Sequence, residues 1–182
     1  MRTLVFFVFM ASAAHAQADW ETLAPATGLT TAPDGFGPDW SSGPGIVVRV
    51  ETPAYGGLAR AEVLGALYEA TDETLPEFAV IMPTLGWGPA AHLGRVRLSA
   101  GGRLGIAQFR FDRDDVGNFK NETEVAIGGW AGGAVRLAGP VEAWAEANVT
   151  RLVLADPRVI ATLSAGLALR LDSPSWLQGV FR

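Results

Sequence analysis

The chain has 182 residues, with 14 basic and 19 acidic side chains and a formal net charge of −5. A chain of this length can close one barrel or bury one sizeable core, so we expect a single folded domain. The acidic balance argues against a nucleic-acid partner, which would require a basic patch. The absence of cysteine excludes disulfides, thiolate metal sites, a cysteine nucleophile and a lipidated cysteine.

The first 16 residues have the features of a secretory signal peptide. Arg2 precedes an apolar run from Leu4 to Met10, and Ala14-His15-Ala16 has the small-x-small form that signal peptidase accepts. The apolar run is about half as long as the roughly 20 residues that a membrane-spanning helix needs. We therefore expect residues 1–16 to be removed on export.

Residues 17–44 are rich in proline, glycine, threonine, serine and aspartate and show no clear helical or strand period. This composition predicts an irregular leader that precedes the folded domain. The aromatic side chains of this segment are Trp20, Phe36 and Trp40. They could hold the leader against the body of the protein or form a short plug, and the sequence leaves both possibilities open.

From residue 45 onward, apolar and polar residues alternate. In the clearest case every second residue from Val159 to Leu171 is apolar, whereas the residues between them are small or polar apart from Ile160. A period of two with such different faces predicts a strand rather than a helix. At about 3.3 Å per residue this strand is long enough to cross a hydrocarbon layer about 25 Å thick, even when tilted.

The same reading predicts strands near residues 45–52, 57–69, 77–86, 93–100, 103–111, 122–137, 140–154 and 157–171, with a ninth fragment at 175–181. Short connections rich in glycine or proline, including 100–102 and 138–140, predict hairpins and antiparallel neighbours. Bacterial single-chain barrels have an even number of strands. We therefore expect an all-β, up-and-down antiparallel barrel over residues 45–182, with eight strands and one weak segment lost or merged.

The polar faces of the predicted strands carry arginine and glutamate together, whereas lysine occurs once, at Lys120. The lumen of an eight-stranded barrel is filled by side chains, so these charges could pair across it while leucine and valine face lipid. The candidates for lumen ion pairs are Arg49, Glu51, Arg60, Glu62, Arg95, Arg97, Glu124, Arg136, Glu142, Glu146, Arg158 and Arg170. The reverse orientation, with leucines inside and the charges in solvent, describes a soluble barrel.

The pattern over residues 45–182 resembles the small outer-membrane β-barrel superfamily, which includes the OmpA transmembrane domain and the OmpX/Ail type. The resemblance is carried by the signal segment, the alternating strand, the arginine and glutamate candidates, and the terminal segment 176–182. Members usually end on an aromatic residue that the assembly machinery recognises, whereas here Arg182 follows Phe181. The resemblance implies an outer-membrane barrel whose partners are membrane lipid and the barrel-assembly machinery, but it implies no activity.

The sequence offers little for catalysis. Once the signal is removed, His92 is the sole imidazole. Some small outer-membrane barrels are lipid A deacylases that use a histidine, a serine and a glutamate. Here Leu93 and Gly94 follow His92, and Ser99 lies seven residues away, which does not match the His-x-Ser arrangement of those enzymes. We expect no catalytic residue, no cofactor and no bound metal ion.

The sequence thus favours a bacterial outer-membrane barrel of structural or interaction type, with a lumen filled by side chains. Two alternatives remain open at this point. One is a soluble periplasmic barrel that carries a small apolar ligand, as lipocalin-like folds do. The other, which the sequence favours less, is an outer-membrane hydrolase that modifies lipid A and depends on His92.

Overall fold

A computed structural model describes residues 22–33, 36–113, 120–153, 157–172 and 174. The signal peptide predicted over residues 1–16 and the strand fragment predicted at 175–181 lie outside these residues. Within the described part of the chain all regular secondary structure is β-strand. No helix that could cross a membrane is found in that part.

Ten strand segments follow one another along the chain. They are β1 (Thr22–Thr31), β2 (Trp40–Ala54), β3 (Gly57–Ala70), β4 (Phe78–Gly88), β5 (Ala90–Leu93), β6 (Val96–Phe111), β7 (Glu122–Arg136), β8 (Val141–Leu152), β9 (Arg158–Leu169) and β10 (Leu171–Asp172). Neighbours pair antiparallel in the order β1-β2-β3-β4-β6-β7-β8-β9, and β9 pairs back onto β1. This last pairing closes the sheet into a barrel.

The two shortest segments extend longer strands. β5 continues β4 beyond Pro89 in an unchanged register against β6, since Trp87 pairs with Gly102 and Ala90 with Ser99. β10 likewise continues β9 beyond Arg170 and keeps its register against β1. A proline has no N–H for the ladder, which accounts for the break in the first case. The barrel therefore has eight strands, as the sequence predicts.

The two ends of the barrel differ in their connections. The turn end carries the tight hairpins at residues 55–56, 94–95 and 137–140, together with the first and last described strand residues. At the first hairpin Tyr55 and Gly56 both have positive φ, at 51° and 72°, as the favoured two-residue turn requires. The loop end carries the longer connections, of which the structure describes residues 32–33, 36–39, 71–77, 112–113, 120–121, 153 and 157.

The structure corrects the predicted irregular leader over residues 17–44. Thr22–Thr31 is the closing strand β1, and β2 already begins at Trp40. The pattern of β1 is weak because proline and threonine interrupt the leucines of its outward face, and because Pro25 and Gly28 resemble a break. Its lumen face has to be small, since a Cβ at Gly28 would lie 2.6 Å from the ring of Trp144. Pairing with β2 on one side and β9 on the other holds this strand in place.

The structure also corrects the turn predicted at residues 100–102. Val96–Phe111 is one continuous strand, β6, and the chain turns earlier, at Gly94, where φ is 62°. The glycine at 101 makes room for a neighbour and does not mark a turn, because a Cβ there would lie 2.6 Å from Trp130 Cζ2. The two segments predicted at 93–100 and 103–111 are therefore merged, which leaves eight strands after β1 is added.

The faces of the strands have the orientation that the barrel hypothesis requires. In β9 the side chains of Leu163 and Leu167 are 53% and 55% exposed, whereas Thr162 and Ser164 between them are each 5% exposed. β2 shows the same order, with Ile46 and Val48 outside and Arg49 inside. Apolar residues thus cover the exterior, and the lumen is lined by charged and polar residues over one part of its length and by a packed apolar cluster over the other.

Candidate functional site in the lumen

A chain of ion pairs runs through the lumen, and its centre is Glu146 on β8. The Glu146 carboxylate accepts a hydrogen bond from Nη1 of Arg49, and its Oε2 lies 2.9 Å from Nη1 of Arg60. Both arginines also reach Glu51, at 3.2 Å from Nε of Arg49 and 2.7 Å from Nη2 of Arg60. All four side chains are 2–3% exposed. Each carboxylate is therefore shared by two buried guanidinium groups.

The chain of ion pairs continues in both directions along the barrel. Arg103 on β6 donates from Nη1 to Oε1 of Glu62 at 2.7 Å, and Glu62 lies 3.7 Å from Arg60. Towards the turn end, Arg97 lies 2.8 Å from Glu51 and 3.5 Å from Glu142. Arg170 then pairs with Glu142 at 3.2 Å. The positive and negative charges alternate along this path.

Two tryptophans stack against the central arginines. The Arg49 guanidinium lies 3.7 Å from the ring centre of Trp144, and that of Arg60 lies 4.4 Å from the ring centre of Trp130. These distances allow cation–π attraction, which strengthens where water is excluded. The rings also fix the guanidinium planes, so the arginines are held both by carboxylates and by stacking.

Uncharged polar side chains add further hydrogen bonds in the lumen. Asn148 donates from Nδ2 to Glu146 at 3.2 Å, and Arg103 donates to the Thr150 hydroxyl. On the adjacent strand β9, Ser164 donates to the hydroxyl of Thr30 at 2.8 Å. Buried charges are costly unless they are paired and hydrogen-bonded, and these contacts supply partners beyond the ion pairs.

The loop end of the lumen is closed by apolar side chains. Phe36, from the connection between β1 and β2, packs edge-on against Trp40, Tyr68, Phe78 and Phe109, with ring centres 5.2–6.3 Å apart. Arg158 covers the outer side of Phe36, with its guanidinium 5.2 Å from the ring centre. Of the aromatics predicted to anchor a leader or form a plug, Phe36 and Trp40 lie in this cluster, and Trp20 lies outside the described residues.

Eight of the twelve predicted lumen residues are joined by the ion pairs described above. These are Arg49, Glu51, Arg60, Glu62, Arg97, Glu142, Glu146 and Arg170. The other four lie on the same face of their strands but form none of the ion pairs found among the described residues, which corrects the prediction for them. Arg95 and Arg136 are exposed at the turn end, and Glu124 is half-buried towards the loop end. Arg158 stacks on Phe36. A period of two assigns a face correctly but does not say how far along the barrel a residue lies.

Sequence reasoning missed Arg103, the tryptophans Trp130 and Trp144, and the amide of Asn148. Arg103 is not among the predicted lumen residues because the turn predicted at 100–102 interrupts the alternation that continues from Arg97 through β6. Reading residues 96–111 as one strand would have placed both arginines on one face. The two tryptophans lie near strand centres, whereas the aromatic residues of outer-membrane barrels concentrate near strand ends, at the two membrane interfaces.

His92, the residue on which a hydrolase would depend, lies on β5 at the turn end and is exposed. Its cross-strand partner is Arg97, whereas Ser99 pairs with Ala90. The histidine and serine considered for a catalytic pair are therefore not opposite one another. Among the described residues, no three histidine, aspartate or glutamate side chains are grouped to hold a metal ion.

The closed antiparallel barrel with a polar lumen and an apolar exterior is the architecture of the small outer-membrane barrels, so the predicted resemblance is confirmed for the fold. Among solved structures, Neisserial surface protein A is similar to this chain with a TM-score of 0.53 and 15% identity, over 82% of this chain and 96% of that one. Ail of Yersinia pestis, in complex with the heparin analogue sucrose octasulfate, is similar with a TM-score of 0.52 and 12% identity, over 83% and 99%. No protein-family model and no curated protein matches the sequence.

Proposed function

We propose that this chain is a bacterial outer-membrane barrel of structural or interaction type, held in the membrane by its exterior and closed to solutes by its lumen. In this proposal its partners are the lipid of the outer membrane and, during biogenesis, the barrel-assembly machinery. The connections at the loop end are the parts available for interaction outside the cell. The chain carries out no chemistry of its own.

The observation that carries the proposal is an apolar belt to which every one of the eight strands contributes. Its residues are at least 38% exposed: Leu29, Ile46, Val48, Val63, Leu67, Ile81, Leu85, Leu104, Ile106, Val125, Ile127, Val149, Leu163 and Leu167. Soluble monomers rarely expose a continuous apolar surface of this extent. A hydrocarbon environment removes the cost of the exposure, because it replaces water around these side chains.

The distribution of charge on the exterior supports the same location. Within the described strands, the charged residues on outward-facing positions are Glu69, Arg110 and Arg151. All three lie near the loop end of their strands. The other outward-facing positions of the described strands carry no charged side chain, as the hydrocarbon layer requires, since an arginine on the lipid face at the midplane costs about 2–4 kcal/mol.

A soluble barrel that carries an apolar ligand would need the opposite arrangement. Its lumen would be lined by apolar side chains and its exterior by charges. Here Arg49, Arg60 and Arg103 occupy the lumen with their carboxylate partners, and leucines cover the exterior. The lumen therefore offers a charged surface towards the turn end, and its apolar part towards the loop end is filled by packed side chains, which disfavours the lipocalin-like alternative.

The same side chains support a lumen that does not conduct. The buried ion pairs cross the centre, and the aromatic cluster around Phe36 closes the loop end. Small outer-membrane barrels have short turns on the periplasmic side and longer loops outside. By this rule the turn end of the present barrel faces the periplasm, and the loop end faces the exterior.

Labelling with a photoreactive lipid tests the membrane location. We expect Leu163 and Leu167 to be labelled in the native envelope and their neighbours Thr162 and Ser164 to be spared, because alternate residues of β9 face opposite sides. The protein should also require detergent for extraction and should change gel mobility on heating. Release with the soluble periplasmic contents, or labelling of all four residues alike, contradicts the proposal.

A further inference from the structure

One wall of the barrel projects beyond the rim at the turn end. β3 makes its last pair with β4 between Leu58 and Gly88, whereas β5 continues past this level and pairs with β6 alone. β6 is in turn paired with β7 down to Val96 and Val135. The inner face of this wall therefore overlooks the opening of the lumen, outside the closed part of the barrel.

Basic side chains gather on this inner face. We name the group the turn-end mouth: His92, Arg95, Arg97, Arg136, Arg170 and the carboxylate Glu142. Cross-strand partners project from the same face of a sheet, and His92 is the partner of Arg97, which reaches into the lumen to Glu51. Arg97 and Arg170 are both paired with Glu142, so that carboxylate is already shared by two arginines.

Within the turn-end mouth, Arg95 and Arg136 are the arginines that form no ion pair with a described carboxylate, whereas Arg97 and Arg170 are paired. The Arg136 N–H donates to the carbonyl oxygen of Arg95 at 3.0 Å, so the two residues are directly opposite on adjacent strands. Among the described carboxylates, none lies within 4.0 Å of either guanidinium. This includes Glu142 on β8, although it is the cross-strand partner of Arg136 on β7. Like charges placed directly opposite destabilise a sheet. An anion between them would turn this repulsion into two favourable contacts.

The charges act together on the histidine at this mouth. Burial lowers the pKa of His92, and the positive charges of Arg97 and Arg170 lower it further. Glu142 opposes this effect and Arg136 adds to it. The imidazole of His92 also adds a hydrogen-bonding group to the mouth.

We propose that the turn-end mouth binds a compact oxyanion, a phosphate or carboxylate group of a soluble molecule, between Arg95 and Arg136. The planar guanidinium forms paired hydrogen bonds to both types of oxyanion. The site lies on the lumen face of the wall, away from the lipid-facing surface, so a soluble group reaches it more directly than a lipid headgroup does. Glu142, the cross-strand partner of Arg136, is paired with Arg97 and Arg170, so its negative charge is already offset by these two arginines. This inference depends on the proposed function only for the compartment that the mouth faces.

His92 provides the readout, because it is the only histidine after residue 15. The full chain without its signal is folded in zwitterionic detergent, and the imidazole is followed by NMR during titration with inorganic phosphate and with acetate at constant ionic strength. We expect a saturable shift with both anions and a higher pKa of His92 when the site is full, because a bound anion offsets the nearby arginines. A response that never saturates overturns the proposal.

A pair of double variants tests the location. R95Q/R136Q removes the two charges of the mouth, and R110Q/R151Q removes two outward-facing charges near the loop end, which gives the same change in net charge. We expect R95Q/R136Q to weaken the apparent affinity for the anion about tenfold or more, because at least one charge-assisted hydrogen bond is lost. We expect R110Q/R151Q to leave this affinity unchanged. Equal losses in both variants mean nonspecific charge screening and overturn the proposal.

Lipid as the source of the anion is tested in nanodiscs. The His92 pKa is compared between discs of phosphatidylcholine and discs that also contain phosphatidylglycerol, with and without added phosphate. We expect the soluble anion to shift His92 equally in both types of disc. A shift caused by phosphatidylglycerol alone, with no response to phosphate or acetate, overturns the assignment to a soluble group. Because none of these arms measures membrane insertion, their failure is distinguishable from failure of the proposed function.

Discussion

At the scale of single residues, Glu146 holds the centre of the lumen together. It is 2% exposed and contacts Arg49, Arg60 and Asn148 from three directions. Breaking a buried ion pair by removing one partner leaves an uncompensated buried charge, which is more costly than never having buried the pair. The two arginines cannot turn to water, because Trp144 and Trp130 lie against their guanidinium groups.

Glu146→Gln is therefore expected to be strongly destabilising although it preserves the shape of the side chain. The free energy of unfolding should fall by about 3–5 kcal/mol, the usual loss when one partner of a buried pair is removed. Urea titration of the folded protein in lipid vesicles measures the change. Glu73→Gln, at an exposed loop position, removes the same charge and should stay within about 0.5 kcal/mol of the parent. Equal effects of the two substitutions would mean that the lumen ion pairs carry no stability.

At the scale of the element, β6 shows how two adjacent glycines have different roles. Gly101 faces the lumen, and a Cβ there would lie 2.6 Å from Trp130 Cζ2 and from the carbonyl oxygen of Trp87. Gly102 faces outward, where a Cβ would meet nothing nearer than the Gly128 oxygen at 3.9 Å. The first glycine is required by packing, and the second is free to change.

Alanine at each position separates the two roles. Gly101→Ala should cost about 1–3 kcal/mol through overpacking against Trp130. Gly102→Ala should change the stability by less than about 1 kcal/mol, because it adds no clash and reduces the freedom of the unfolded chain. Both are measured by urea titration as above. If residues 100–102 formed a turn, the two alanines would have no reason to differ in this direction.

The connection between β1 and β2 gives a second test at this scale. Phe36 places its ring among four aromatic rings at the loop end, although it lies outside any strand. Phe36→Ala should lower the free energy of unfolding by about 2 kcal/mol, less than the roughly 3–5 kcal/mol of a fully buried phenylalanine. Phe36→Leu retains most of the apolar area and should lose only the edge-on ring contacts, about 0.5–1.5 kcal/mol. If the alanine variant is as stable as the parent, the Phe36 ring is not anchored in the aromatic cluster at the loop end.

Sequence alone predicted those elements whose two faces differ in chemistry. β9 alternates leucine with threonine and serine, and its span was anticipated almost to the residue. β1 was missed because its lumen face is small and because proline and threonine interrupt the leucines of its outward face, so its position follows from closure of the sheet rather than from its own pattern. The arginine and glutamate faces were visible, but the partners were not. Which carboxylate meets which arginine depends on the stagger between strands, and a period of two does not contain the stagger.

At the scale of the whole molecule, leucines are exposed and charged side chains are buried, which is the reverse of their distribution in a soluble protein. Residues as apolar as Leu85 and Leu104 are 69% and 58% exposed, whereas Arg49 and Glu51 are 4% and 2% exposed. The buried charges are costly unless they are paired with one another. The exposed leucines are unfavourable in water, and a hydrocarbon environment removes this cost. Both conditions are met when the barrel spans a membrane with its lumen filled.

Two leucines with similar exposure test whether the exterior of the barrel lies in hydrocarbon. Leu163 lies near the middle of β9 and is 53% exposed, and Leu137 lies in the turn after β7 and is 51% exposed. In a bilayer, Leu163→Arg should cost about 2–4 kcal/mol and Leu137→Arg about 0–1 kcal/mol, because the penalty for arginine depends on depth in the hydrocarbon layer. In a soluble barrel both substitutions fall at wet surface positions and should change stability by less than about 0.5 kcal/mol. Urea titration of each variant in phosphatidylcholine vesicles measures the difference, and two equally small values would remove the membrane from the account of this protein.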